Sequence, residues 1–173
     1  MEIFIRSVRA LSVFFGIVAA ASLVAAIVVV CEMVVLRYFL TASTVWQTEF
    51  VTYSIVGATF IGSPYVLLTK GHVNVDLLPL YLSHRIRKVL ALFVSVLAFV
   101  VCVVLAWTGW EYFHEAWVGG WRTDTVWALP LWIPILPLPL GMGLLSLQYA
   151  ADICCLVTNR EAPFGIQPKE EGE

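Results

Sequence analysis

Residues 89–110 read VLALFVSVLAFVVCVVLAWTGW. The stretch holds no acidic or basic side chain, and apolar groups fill it almost without interruption. At a rise of ~1.5 Å per residue, these 22 residues reach ~33 Å as a helix, enough to cross a hydrocarbon core ~30 Å thick. Working outward, three further runs of the same kind occupy Ala10–Cys31, Phe50–Thr69 and Thr125–Ala151. Each supplies the roughly 20 predominantly apolar residues that a helical span requires. The chain therefore reads as an all-α integral membrane protein, one membrane domain over residues 1–173. Its four transmembrane helices are expected at approximately 10–36, 47–69, 89–112 and 126–156.

The middles of these runs are as informative as their length. A charge held inside a bilayer is the usual mark of an ion path or proton relay, because it is costly to keep there. All four runs lack one. With 61% hydrophobic residues in 173, the spans also leave no stretch long enough for a separate soluble domain. The chain has the body of a transport protein without charged machinery.

A net charge of −2 says little, but the placement of the basic residues says more. Arg6 and Arg9 precede the first span; Lys70, Arg85, Arg87 and Lys88 crowd the second loop; Arg160 and Lys169 follow the fourth span. Only Arg37 and Arg122 mark the other side. Cytoplasmic loops are enriched in Lys and Arg, so both termini are expected in the cytoplasm. The first run continues through Val28-Val29-Val30 with no polar cleavage region and exceeds the ~7–15-residue apolar core of a signal peptide, so it reads as a retained helix. Cys31, Cys102, Cys154 and Cys155 form no C-x-x-C pair, which argues against a zinc site or disulfide framework and for apolar packing.

All seven tryptophans, Trp46, Trp107, Trp110, Trp117, Trp121, Trp127 and Trp132, fall on the expected outer side. Indole favours the headgroup level, where its ring and its N–H are both accommodated. The pattern reads as interfacial anchoring, or as an aromatic surface for a partner.

Between spans two and three, Gly71 is placed to end a helix after Lys70, and Asp76 to cap a new one with Pro79 in its first turn. From Leu77 to Val89 the apolar residues recur every three or four positions opposite Ser83, His84, Arg87 and Lys88. This predicts an amphipathic interfacial helix over about 76–88, with Arg85, Arg87 and Lys88 suited to anionic lipid. His72 and Asp76 are close enough in sequence to form a local hydrogen-bonded pair; a solvated histidine is the plain alternative.

The fourth span is expected to be proline-broken. Pro130, Pro134, Pro137 and Pro139 fall within ten residues and Gly141 follows. Each proline inside a helix removes a hydrogen bond at a cost of ~3 kcal/mol or more. A regular helix over about 139–155 would be ~25 Å long, slightly short, so the proline stretch would dip into the membrane and need cover from a partner. Small residues at four-residue spacing (Gly16 and Ala20, Ala21 and Ala25, Ser22 and Ala26, Ala58 and Gly62) suit close helix approach in lipid. The tail over 158–173 is polar.

Few residues can carry chemistry. His72, His84 and His114 are not placed to face each other at membrane depth as bis-histidine haem ligands. Glu32, Arg37 and Glu49 bracket the first outer loop; Arg37 and Glu49 suit a clamp, within the chain or to a partner, ahead of ion coordination by the two glutamates. Glu111, Glu115 and Asp124 surround Arg122 in an outer loop that is either simply solvated or a docking surface. No nucleophile elbow, phosphate loop, metal signature or nucleic-acid-binding pattern occurs, so an enzyme is not expected and no cofactor is called for.

These pieces, taken in order, resemble the small membrane subunit of tripartite ATP-independent periplasmic (TRAP) transporters, the DctQ type. They are Arg37-Tyr38-Phe39, Trp46-x-x-Glu49, Phe60-Ile61-Gly62, Lys70-Gly71-His72 with Val75-Asp76-Leu77-Leu78, Pro130-Leu131-Trp132-Ile133, Leu138-Pro139-Leu140-Gly141 and Gln148. Thr48 departs from the pattern, since the family often has a second glutamate there. The resemblance implies a scaffold in the bacterial inner membrane, bracing a large subunit that carries substrate and sodium while a periplasmic binding protein delivers an organic acid. Arg37, Trp46, Glu49, Gly62, Gly71, His72, Asp76, Pro130, Trp132, Pro139 and Gly141 become the structural or partner-facing candidates. A membrane anchor for a redox enzyme and a small self-assembling channel are the alternatives from other classes.

Overall fold

The computed structural model describes residues 2–69 and 84–158. Five helices make up nearly all of it: α1 (Glu2–Phe39), α2 (Val45–Leu68), α3 (His84–Val118), the short α4 (Trp132–Ile135) and α5 (Pro137–Val157). Four candidate spans result, Ile3–Phe39, Val45–Leu68, Lys88–Val118 and Trp132–Val157.

α1, α2 and α5 pack together as a trio, and α3 leans on its flank against α5. Contact in lipid comes from close approach rather than from the hydrophobic effect, and small residues supply it. On α1 the buried positions Ser12, Ala19 and Ala26 alternate with half-buried Phe15 and Ser22, a seam of three- and four-residue steps. Ala19 meets Gly62 of α2: a methyl placed on that glycine would lie 3.1 Å from the Ala19 Cβ. Gly16 lies under the Tyr65 ring. Of the small pairs expected from the sequence, Ser22 with Ala26 and Ala58 with Gly62 lie in packed faces, whereas Ala20, Ala21 and Ala25 are exposed.

Pro64 sits inside α2 and the helix continues through it. A proline at that position cannot donate to the Phe60 carbonyl four residues back. The Ser63 hydroxyl donates to that carbonyl instead, at 2.8 Å. Irregular backbone at membrane depth requires such replacement, and the serine provides it locally.

Three expectations need correction. The boundary placed at residue 88 between an interfacial helix and span three is absent: residues 84–118 form one helix, because His84–Val89 contains neither glycine nor proline to stop it. The part of the interfacial helix before His84 lies outside the described residues. Span four starts at Trp132 rather than 126; residues 119–131 form a hairpin-like loop in which Thr123 N–H donates to the Leu129 carbonyl (2.9 Å) and Leu131 N–H to the Trp121 carbonyl (2.9 Å).

The proline break is also milder than expected. Leu131 and Leu136 keep right-handed helical angles, and Pro137 opens α5 with Pro139 two residues on. A helix leaves its first N–H groups without intrahelical partners, so prolines there remove nothing. Trp132–Val157 is 26 residues, or ~39 Å, long enough to cross without a dipping segment. The helix also carries Asp152 within its C-terminal half, just beyond the charge-free run.

Candidate functional site

The tryptophan end is built by four converging segments: the end of α1, the start of α2, the end of α3 and the loop leading into α4. Trp46 at the start of α2 packs edge-on against Trp127 of the loop (centroids 6.2 Å, 61°). One turn along α2, Glu49 accepts a hydrogen bond from the Thr125 hydroxyl at 2.8 Å. Thr125 shares a second contact with the Thr123 hydroxyl at 3.0 Å. The loop is thus tied to α2 at two points, one aromatic and one polar.

This corrects the expected clamp. Arg37 lies exposed in the last turn of α1 and makes no ion pair with Glu49. The Oε1 atoms of Glu49 and Gln47 are buried and accept no hydrogen bond within the described residues. Gln47 is 2% exposed. Buried acceptors without a donor are costly in a low-dielectric setting, by ~1–3 kcal/mol each. These two make the start of α2 a polar point of strain that a neighbouring donor would relieve.

Deeper in, a cavity of about 350 Å³ opens between α1, α2, the loop, α4 and the start of α5, walled chiefly by Val18, Phe50, Tyr53, Trp127, Ile133 and Pro137. Its lining is mostly apolar. Ser22 reaches across to the Ser54 carbonyl beside it at 3.4 Å.

At the opposite end, a polar chain joins α1 to α5. The Ser12 hydroxyl donates to Gln148 Oε1 (3.2 Å), and Gln148 Nε2 donates to Asp152 Oδ1 (3.0 Å). Ser12 and Gln148 are each 1% exposed. In the sequence, Gln148 is marked by the family resemblance. The signal for the rest is a serine and a glutamine in largely apolar helices, which in lipid must find partners.

The remaining candidates fall where the fold needs them for packing. Gly141 and Pro139 are buried in α5. Pro130 bridges Arg122 across the loop, and Trp132 packs edge-to-face with Trp117 (4.7 Å, 65°) and Phe113 (6.4 Å, 87°). Gly62 lies in the α1–α2 contact. Gly71, His72 and Asp76 lie outside the described residues, as do the side chains of Arg85 and Arg87. The site offers surfaces and inter-helix ties; His114, the one described histidine side chain, is exposed on the projecting end of α3.

The family model of the DctQ component of tripartite ATP-independent periplasmic transporters matches residues 26–159. The chain belongs to this DctQ family. The matched region takes in the last part of α1 and everything from α2 through α5. A similar protein is the C4-dicarboxylate TRAP transporter small permease protein DctQ of Vibrio cholerae serotype O1 (strain ATCC 39315 / El Tor Inaba N16961), 23% identical over 151 residues. The alignment covers 73% of this chain and 64% of that relative, so the chain spans less than two thirds of the relative's length. As a DctQ-family member with four helices of spanning length, it is a multi-pass membrane protein.

Proposed function

We propose that this chain is the small permease subunit of a TRAP-type secondary transporter, acting as a scaffold that braces a large substrate- and sodium-binding membrane subunit. The observation that carries this reading is the arrangement of the spans. α1, α2 and α5 close directly on one another through Ala19, Gly62 and Gly141, and α3 joins from outside. Such a layout favours a route for solute on another chain. The buried polar groups Ser12 and Gln148 bond across helices, which suits bracing. On this reading a periplasmic binding protein delivers an organic acid to the complex, sodium coupling belongs to the large subunit, and this chain needs no cofactor and catalyses no reaction. The membrane is the bacterial inner membrane, both termini face the cytoplasm, and Arg85, Arg87 and Lys88 lie near anionic headgroups there.

The test is co-purification. A tagged copy expressed with its transporter's other components recovers a larger integral membrane protein, and vesicles holding this chain alone take up no labelled organic acid. Uptake by the chain alone would sink the scaffold reading in favour of a self-assembling channel, and a Soret band in the purified chain would favour the redox-anchor alternative.

A further inference from the structure

The rings at the tryptophan end enclose a basin of about 290 Å³, lined by Trp117, Gly120, Trp121, Arg122, Pro130 and Trp132. Arg122 is the charged residue of that lining, and no carboxylate among the described residues pairs with it. Its position is fixed from the backbone: Arg122 bridges Pro130, and the flanking bonds from Thr123 to Leu129 and from Leu131 to Trp121 are both 2.9 Å. The walls are fixed as well, by Trp117 on Trp132 and by Tyr112 on Trp121 (6.3 Å, 64°). A guanidinium without a carboxylate partner among the described residues is thus rooted in an aromatic cup.

Depth decides what fits it. Trp132, which packs on Trp117, opens the fourth candidate span, Trp132–Val157, which at ~39 Å overshoots a ~30 Å core by a few ångströms at each end. The basin thus lies on the headgroup side of the hydrocarbon boundary. Below the basin, α3 presents exposed Trp107, Trp110 and Val103, a surface that hydrocarbon can follow. Guanidinium matches phosphate oxygens in a planar, two-pronged fashion, and indole rings favour the glycerol level.

We propose that this basin binds the phosphate group of an anionic membrane phospholipid, with Arg122 as the phosphate ligand and the tryptophans as the walls. An acidic patch on a soluble protein fits less well. It would have to reach headgroup depth, below the bilayer surface, to touch the basin. A lipid enters from the membrane side. The inference needs only that the chain sits in a bilayer and stands whether or not the scaffold reading does.

The full chain is reconstituted in vesicles of phosphatidylcholine containing increasing amounts of brominated-chain phosphatidylglycerol, and tryptophan fluorescence is recorded. All seven tryptophans lie at this end of the spans, so quenching reports this end and not the basic residues at the other. A basic side chain near the surface favours an anionic lipid by about fivefold. Wild type is expected to show that preference, Arg122→Gln to fall close to none, and Arg122→Lys to keep part of it, with circular dichroism unchanged in each. Equal preference in wild type and Arg122→Gln, or none in wild type, overturns the proposal. So does an Arg122→Gln variant that keeps its lipid preference but loses binding to the transporter's soluble component, which assigns the basin to protein docking.

Discussion

Gly141 of α5 lies directly against the backbone of Phe60 in α2, so close that a Cβ on the glycine would collide with the Phe60 carbonyl. That carbonyl is the one released by Pro64 and taken up by the Ser63 hydroxyl. Proline, serine and glycine therefore act on one atom: the first frees it, the second satisfies it, and the third allows α5 to close over it. The contact holds α2 to α5 at the centre of the trio.

Gly141→Ala is expected to destabilise the chain by ~1–3 kcal/mol, the usual cost of overpacking a filled contact. Gly143, two residues on, has nothing within 4 Å of where its Cβ would stand. Gly143→Ala is therefore expected to be neutral or to stabilise by ~0.5–1 kcal/mol through helix propensity. Thermal unfolding of both variants in the same detergent checks the contrast. Equal effects would mean that the close approach does not contribute.

Ser63→Ala removes the hydroxyl that replaces the missing Pro64 N–H. Hydrogen bonds in membrane proteins average ~0.6 kcal/mol, with values up to ~1.7. The upper part of that range is expected here, because no backbone N–H of the helix can step in. Pro64→Ala in the Ser63→Ala background restores the donor and should recover the loss. Unfolding of the single and double variants reads this, and a double variant no more stable than Ser63→Ala contradicts it.

How much of this could be read from the sequence follows from which interactions are local. Span length and the absence of charge depend on composition, so the four crossings were legible. The expected break at residue 88 came from a change in polarity between His84-Arg85-Ile86-Arg87-Lys88 and the run after it, yet polarity does not end a helix and the backbone continues through both. The prolines of span four looked disruptive because their place relative to the helix start was unknown; with Pro137 at that start the cost disappears. Arg37 and Glu49 are natural partners by charge alone. The loop that brings Thr125 to Glu49 instead depends on a pairing of Trp121 with Leu131 and on Ala128 in a left-handed turn (φ +48°), neither of which any pattern announces.

Gln148 sits between Ser12 and Asp152 and is fully enclosed. Gln148→Met keeps much of the volume but leaves the Ser12 hydroxyl without its acceptor, at an expected cost of ~1–3 kcal/mol. Ser12→Ala should cost less, because one lost bond leaves an adaptable amide. In the double variant the losses should fall short of their sum, since both substitutions remove the same bond. Strict additivity of the unfolding free energies would show that the bond does not couple α1 to α5.

The separation of Arg37 from Glu49 changes what each substitution should do to assembly. Arg37 is exposed and unpaired with Glu49, so Arg37→Ala leaves the isolated chain as stable as wild type. Any effect it has must appear only when another subunit is present. Glu49 holds the loop through Thr125, so Thr125→Val should loosen the loop even in the isolated chain, by the ~0.5–1.5 kcal/mol of a typical hydrogen bond. Glu49→Gln keeps an acceptor for Thr125 while removing the charge. If the buried Glu49 oxygen meets a cationic donor on the large subunit, Glu49→Gln lowers recovery of the complex while leaving the stability of the isolated chain nearly unchanged. Measuring both quantities for the three variants separates the roles. Arg37→Ala and Glu49→Gln should reduce pull-down of the large subunit without altering which solute the surviving complex transports. A shifted solute profile with full assembly would place Glu49 in substrate selection and contradict the bracing role.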